Sequence, residues 1–404
     1  MRIIGKEMKK ILDVRLLVIL AVFTLLYYMV FMEVVRHPVG GQCTDSPYDI
    51  IFYAELIEEW GPEISVDDWD KVEKKRQEIT MELESLFVHN TILKENGITT
   101  LEAFYEKRDE LESKDHKDMT EEEKQLDDEI ADCVYKNEAY SKLFFYLQAL
   151  EGIDSRKGYQ FYVNQERMKG FEEDGWFSEL TSQDVIEKEK QMMANDRMSL
   201  LHEGVAYIWN EDVKRLCILM LIGCFLLIIP YQIREKLSGG MQIFTCTHTG
   251  RKIFGKQFVA CLLSCSLVGC MQMLAYLLYW HIKGLSAFWS CKYNCIGLIC
   301  WDSEWTLGIH MLVEMLLMLI FVLAAVSLIY ILARLVPNYV AGIACSIPTC
   351  IGVGKLQCFI FYYLFNIRGE FVQSYWEIYA IGIWVILMGL FMRLRLRRDW
   401  RMDL

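Results

Sequence analysis

Histidine is scarce in this chain, seven in 404 residues. The seven are scattered, with neither an HExxH pair nor a Ser/His/Asp arrangement. Zinc-peptidase and serine-hydrolase chemistry both need an imidazole at a set spacing, so neither is expected. There are 14 cysteines, but no CxxC occurs and no His stands beside the thiols at zinc spacing, which argues against a metal site. A GxxxxGK motif closed by Ser or Thr is also missing. Gly352-Val353-Gly354-Lys355 lacks the first Gly at the required spacing and the closing hydroxyl. No internal segment is large enough for an ATPase domain, so the chain is not expected to hydrolyse ATP. Nucleic-acid-binding signatures are missing as well, and no catalytic, cofactor-binding or metal-binding residue is assigned.

What is present is apolar. Hydrophobic residues make up 53% of the chain, and the net charge of −12 hides a division. Residues 37–213 carry 43 acidic against 19 basic side chains, while the remainder carries 11 against 23. One part is an acidic, water-loving block and the other a basic-edged apolar one.

The apolar part reads as six spans, each near the roughly 20 residues needed to cross about 30 Å of hydrocarbon. A basic stretch at 1–15 precedes the first span at 16–36. Its apolar core is too long for a signal peptide, and no small-x-small cleavage pattern follows before Arg36-His37-Pro38, so it reads as retained. The others are expected at 214–233 (apolar run closed by Pro230), 258–281, 309–334, 339–363 (interrupted by Pro348, Gly352 and Gly354) and 376–394, with a basic tail at 395–404. A loop at 282–308 joins the third and fourth spans, and 364–375 is an external or re-entrant hairpin. With an even number of spans both ends share a side. That side gathers sixteen Lys and Arg, whereas the short loops opposite hold only Lys283, Lys292 and Arg368. The positive-inside rule therefore predicts cytoplasmic termini, an extracytoplasmic block at 37–213 and residence in the cell membrane.

The acidic block is patterned for helices. Ser65-Val66-Asp67-Asp68 resembles a capping box, followed by Trp69, Val72, Ile79, Leu83 and Leu86 at helical spacing. Thr120-Glu121-Glu122-Glu123 opens a second run, with Leu126, Ile130, Cys133, Leu143, Leu147 and Leu150 on one face. A third starts at Thr181. The expected fold class is thus an all-α integral membrane protein: six transmembrane helices plus a mostly helical extracytoplasmic domain.

Between the second and third spans lies one sizeable internal loop, 234–257. It carries Glu235, Gly240, Ile243-Phe244, Cys246-Thr247, Gly250-Arg251 and Lys256. In that order and position they resemble the loop of permease subunits of ABC-2-type ABC transporters, in the branch with a large external domain between helices one and two. The resemblance covers the loop and the six-helix layout, not the external domain. It implies that the loop docks on a separate ATPase subunit, present in two copies, and that the permease pairs with itself or a sister permease. ATPase closure would push Glu235, Gly240, Phe244, Thr247, Gly250, Arg251 and Lys256, and so drive export of a peptide, lipid-like or other amphipathic substrate. The neighbouring Leu237-Ser238-Gly239-Gly240-Met241-Gln242 mimics the signature sequence of the ATPases themselves; without a P-loop it reads as coincidence. The alternative is a non-transporting sensor or scaffold whose external domain binds an extracellular ligand.

Two charges interrupt membrane runs, Glu314 and Lys355. Counting along their helices puts both in the outer half, where they could pair and gate an exit; alternatively, Lys355 marks the end of the fifth span and snorkels outward. Trp280, Trp289, Trp301, Trp305, Tyr362, Tyr363, Tyr375 and Trp376 suit an outer aromatic belt. Eight cysteines in apolar runs act as small hydrophobes. A disulfide among Cys291, Cys295 and Cys300, or between Cys43 and Cys133, is open. The expected partners are membrane lipid and protein, and no nucleic acid.

Overall fold

The computed structural model describes residues 2–32, 48–65, 68–112, 120–154, 197–239, 253–292, 305–364 and 376–401. Helices dominate them. In chain order they are α1 (Arg2–Ile11), α2 (Val14–Phe31), α3 (Tyr48–Trp60), α4 (Trp69–His89), α5 (Thr91–Glu95), α6 (Leu101–Glu112), α7 (Glu121–Tyr135) and α8 (residues 138–154). There follow α9 (Glu203–Leu237), α10 (Ile253–Ile282), α11 (Leu307–Leu335), α12 (Tyr339–Cys358) and α13 (Trp376–Arg401). Two short strands, β1 (Glu63–Ser65) and β2 (Arg197–Ser199), form an antiparallel ribbon with Ile64 opposite Met198. The helical periodicity of the acidic block gave no sign of that ribbon. The chain divides into two compact units: described residues 48–154 with 197–204, and described residues 2–32 with 205–401.

In the first unit the helical stripes expected from spacing are inward faces. Val72, Ile79 and Leu83 of α4 are buried, with Phe87 inside where Leu86 was expected and Leu86 and Trp69 half-buried; Leu143, Leu147 and Leu150 of α8 are buried too. On α7 the face is rotated slightly, with Ile130 and Val134 inside rather than Cys133, which carries a free thiol. Aromatic rings fill the space between these helices: Phe87 lies 5.9 Å from Phe104, and Phe104 5.8 Å from Phe144. The capping box at Thr120 is complete, its hydroxyl accepting from the Glu123 amide at 3.3 Å and the Glu123 carboxylate from the Thr120 amide at 3.0 Å. The one at Ser65 is half of a box. The Asp68 carboxylate accepts from the Ser65 amide and hydroxyl, yet the helix starts only at Trp69. The run from Thr181 lies outside the described residues.

The second unit holds six helices long and apolar enough to cross a membrane: α2, α9, α10, α11, α12 and α13. The protein is a multi-pass membrane protein. Its central element is α9, apolar on all sides; 78% of its most apolar stretch is buried, against 11% for α13. α9 extends past the 214–233 span at both ends. It starts at Glu203, inside the stretch assigned by charge to the external domain, and it runs through Pro230 to Leu237. A proline removes one intrahelical bond, but Tyr231 and Ile233 on the following turn are fully buried, and that packing carries the helix across. α12 likewise passes Pro348, Gly352 and Lys355 without a break and then widens into a π-helical turn at Phe359–Leu364. Close approach sets the neighbours of α9. A β-carbon on Gly342 would lie 2.8 Å from Cγ2 of Ile229, and one on Gly223 would lie 3.5 Å from the Gln272 side chain.

Candidate functional site

Within the expected basic stretch at 1–15, residues 2–11 fold as a separate amphipathic helix. α1 buries Glu7 and Ile11, and a short break at residues 12–13 leads into α2. Asp13 makes the new start by accepting a hydrogen bond from the Arg15 amide at 3.0 Å.

α1 is clamped to the last turns of α9. The Tyr231 hydroxyl donates to Glu7 Oε2 at 2.6 Å in a buried contact. Lys10 Nζ bridges Glu7 at 3.1 Å and Glu235 at 3.0 Å. Arg234 pairs with Asp13 at 2.8 Å and donates to the Lys10 carbonyl at 2.9 Å. Partly exposed ion pairs contribute about 0–1 kcal/mol each. The buried bond to the Glu7 carboxyl and the burial of Ile11 therefore hold α1 in place, and the ion pairs set its register. Burial pulls the Lys10 ammonium down, but the hydrogen bonds and charges of Glu235 and Glu7 outweigh it and hold its pKa above the ordinary 10.5. The Asp13 carboxyl lies below its ordinary 3.8, first through the Arg15 amide and then through Arg234.

α9 ends at Leu237, two residues before the glycine that turns the chain. Gly239 takes φ of 70°, and its amide bonds to the Lys236 carbonyl at 3.1 Å. A side chain would be strained there, which is what makes the first glycine of Gly239-Gly240 the break in the helix. Lys236 reaches sideways to the Val336 carbonyl in the turn between α11 and α12. Across the loop, the start of α10 is held as firmly. The Tyr330 hydroxyl donates to the Phe254 carbonyl at 3.0 Å, and the Arg334 guanidinium stacks 4.0 Å above the Phe254 ring. Lys256 is exposed on the first turn of α10.

Both roots of the loop are thus fixed, by α1 and the α11–α12 turn on one side and by the end of α11 on the other. Of the seven loop positions, Glu235 and Lys256 are placed, and Glu235 is engaged by Lys10. Gly240, Phe244, Thr247, Gly250 and Arg251 lie outside the described residues.

A second polar layer crosses the far end of the bundle. Trp209 Nε1 donates to Glu314 Oε2 at 2.6 Å, with His310 Nε2 at 3.4 Å from the same oxygen. The Tyr276 hydroxyl donates to Asp212 at 3.1 Å, and Arg215 donates to the Phe31 carbonyl at 2.7 Å. On α9 roughly 28 Å of helix separates Asp212 from Tyr231, and on α10 roughly 33 Å separates Tyr276 from Phe254. That spacing is close to the hydrocarbon thickness of about 30 Å. The two layers bracket the apolar slab.

The structure does not bring Glu314 to Lys355. Glu314 is 1% exposed and held by Trp209 of α9, while Lys355 is exposed in the last turn of α12, close to where the fifth span ends. The residue that takes Glu314 lies in the acidic block, whose boundary from charge counting falls eleven residues into α9. Trp280 is also moved from its expected role. It is fully buried, packed edge-on 6.5 Å from Trp209, and is no part of a lipid-facing belt. Trp301, Tyr375, Cys43, Cys295, Cys300 and the hairpin at 365–375 lie outside the described residues. Among the described residues no group of three or more His, Cys, Asp or Glu is placed to hold a metal ion.

Compared with known proteins, the chain matches no family model, no curated protein and no solved structure.

The positions that sequence reading missed are Glu7, Lys10, Asp13 and Tyr231 at the loop end, and Trp209, Asp212, Tyr276 and His310 at the far end. One signal was available: Ile4, Glu7, Met8 and Ile11 recur at three- and four-residue spacing on a helix otherwise basic. The others are ordinary residues made special by a partner distant in sequence.

Proposed function

We propose that this protein is the membrane-spanning permease subunit of an ABC-2-type ABC transporter, with its termini and the 234–257 loop in the cytoplasm and the acidic unit outside. The observation that carries this reading is the double anchoring of the loop. A coupling element works only if force applied to it moves the helices it joins instead of flexing its own roots. Glu235 at one root is tied to α1, and Phe254 at the other is tied to α11, so a push on the loop is delivered to α9 and α10 together. The loop residues Gly240, Phe244, Thr247, Gly250 and Arg251 would meet the ATPase, with Arg251 and Lys256 against an acidic rim and Phe244 in a groove. The energy would come from a partner ATPase, two copies per assembled permease pair. The cargo would be a peptide, lipid-like or other amphipathic molecule, since α9 offers Leu, Ile, Phe and Cys rather than a charged path. No ATP hydrolysis belongs to this chain itself.

Co-purification from solubilised native membranes tests the reading. A protein carrying a P-loop should accompany the native chain and be lost from Gly240→Trp and Arg251→Glu. If both variants retain it, the loop is not the docking element. If no such protein accompanies the native chain, the acidic unit as an external sensor or scaffold takes precedence.

A further inference from the structure

α1 has two faces with different chemistry. The face bearing Glu7 and Ile11 is buried, with Ile4 and Met8 half-buried beside it. On the opposite side Arg2, Lys6 and Lys9 are exposed, three and four residues apart, so they form one row. None of the three has an ion-pair partner among the described residues. Beside the row, Gly5 leaves bare backbone, since a β-carbon there would meet nothing within 4 Å. A basic row of this kind serves nothing inside the fold; Glu7, Lys10 and Asp13 do the clamping.

Its attachment identifies what it meets. α1 ends at Ile11 and the spanning helix α2 begins at Val14, an apolar residue 73% exposed. The three Cα steps from Ile11 to Val14 reach at most about 11 Å. The headgroup region occupies roughly 5–7 Å on each side of the hydrocarbon. α1 is therefore tethered beside a spanning helix, with the Lys9 end of its row within reach of the headgroup region.

We propose that the Arg2–Lys6–Lys9 face of α1 is a binding site for anionic phospholipid headgroups. The phosphates would be held by charge and by Arg2 hydrogen bonding, over the open backbone at Gly5. Because the buried face of the same helix grips Tyr231 and Glu235, headgroup binding fixes the root of the loop at a set depth. The inference needs only a multi-pass membrane chain and is independent of the permease reading.

Native mass spectrometry of the full-length chain in detergent, titrated with phosphatidylglycerol and separately with phosphatidylcholine, tests it. The native chain should retain phosphatidylglycerol preferentially. Each basic residue near an anionic surface contributes about fivefold. The triple variant Arg2→Gln/Lys6→Gln/Lys9→Gln should therefore lose affinity for that lipid on the order of a hundred-fold, with no change for phosphatidylcholine. Lys6→Arg/Lys9→Arg should bind as the native chain does, which separates loss of charge from loss of fold. Equal retention of the two lipids by the native chain would assign the face to a soluble acidic partner and overturn the proposal. So would full displacement of the lipid by inorganic phosphate, or native-like binding by the triple variant.

Discussion

Tyr231 and Glu7 stand 224 positions apart in sequence, and the phenol donates to the carboxyl across 2.6 Å in a buried contact. The bond joins the helix that precedes the first span to the base of the most buried span, next to the root of the central loop.

Tyr231→Phe should cost about 1–3 kcal/mol, because it leaves the Glu7 carboxyl buried without that donor. Adding Glu7→Leu should recover part of the loss, since the buried carboxyl that lost the Tyr231 donor goes with it, though its contact with Lys10 goes too. Thermal unfolding of the two single variants and the double variant in one detergent measures the coupling. Strict additivity would mean that the bond carries no stability.

The junction should respond to pH only at the extremes. Asp13 is depressed below 3.8, so its contribution is complete above that value and is lost as pH falls through the lower folded pKa. Lys10 is raised above 10.5, so its contribution is complete below that value and is lost as pH rises through the higher folded pKa. The stability difference between the native chain and Asp13→Asn should stay flat from pH 5 upward (the lower edge is about one unit above 3.8) and shrink in acid. For Lys10→Gln it should stay flat up to about pH 10 and shrink in alkali. Unfolding midpoints across a pH series read both, and a change near neutrality would contradict the assignment.

Trp209→Phe should destabilise by about 1–3 kcal/mol through loss of the donor to buried Glu314. Lys355→Gln, at an exposed position, should change stability by no more than about 0.5 kcal/mol. Exchanging the charges, Glu314→Lys with Lys355→Glu, should give no rescue, because the side chains are not partners. Rescue, measured by unfolding midpoint, would restore the pairing expected from their depths alone.

Two glycines should behave differently when replaced by alanine. At Gly342 the new β-carbon would meet Cγ2 of Ile229 at 2.8 Å, an atom fixed close to its own backbone, and the cost should be about 1–3 kcal/mol. At Gly269 the 2.8 Å neighbour is Cε of Met220, the free end of a flexible side chain, so the cost should stay under about 1 kcal/mol. Unfolding midpoints of the two variants rank them, and equal costs would mean that the α9–α12 contact is looser than it stands here.

Apolar run length determined the number of spans, because a helix must be long enough and greasy enough along its own course to enter hydrocarbon. Helical spacing determined the buried stripes of α4 and α8, and the Thr120–Glu123 box was readable as four consecutive letters. These are properties of neighbours in sequence. At the candidate site, Glu235 and Lys256 were legible as members of a loop pattern, but their surroundings were not. Only the tertiary structure decided that residues 2–11 form a clamped helix, that Pro230 leaves α9 intact, and that Glu314 belongs to Trp209 instead of Lys355. Each depends on a partner brought from far along the chain, and burial against that partner outweighs the local preference that sequence alone can weigh.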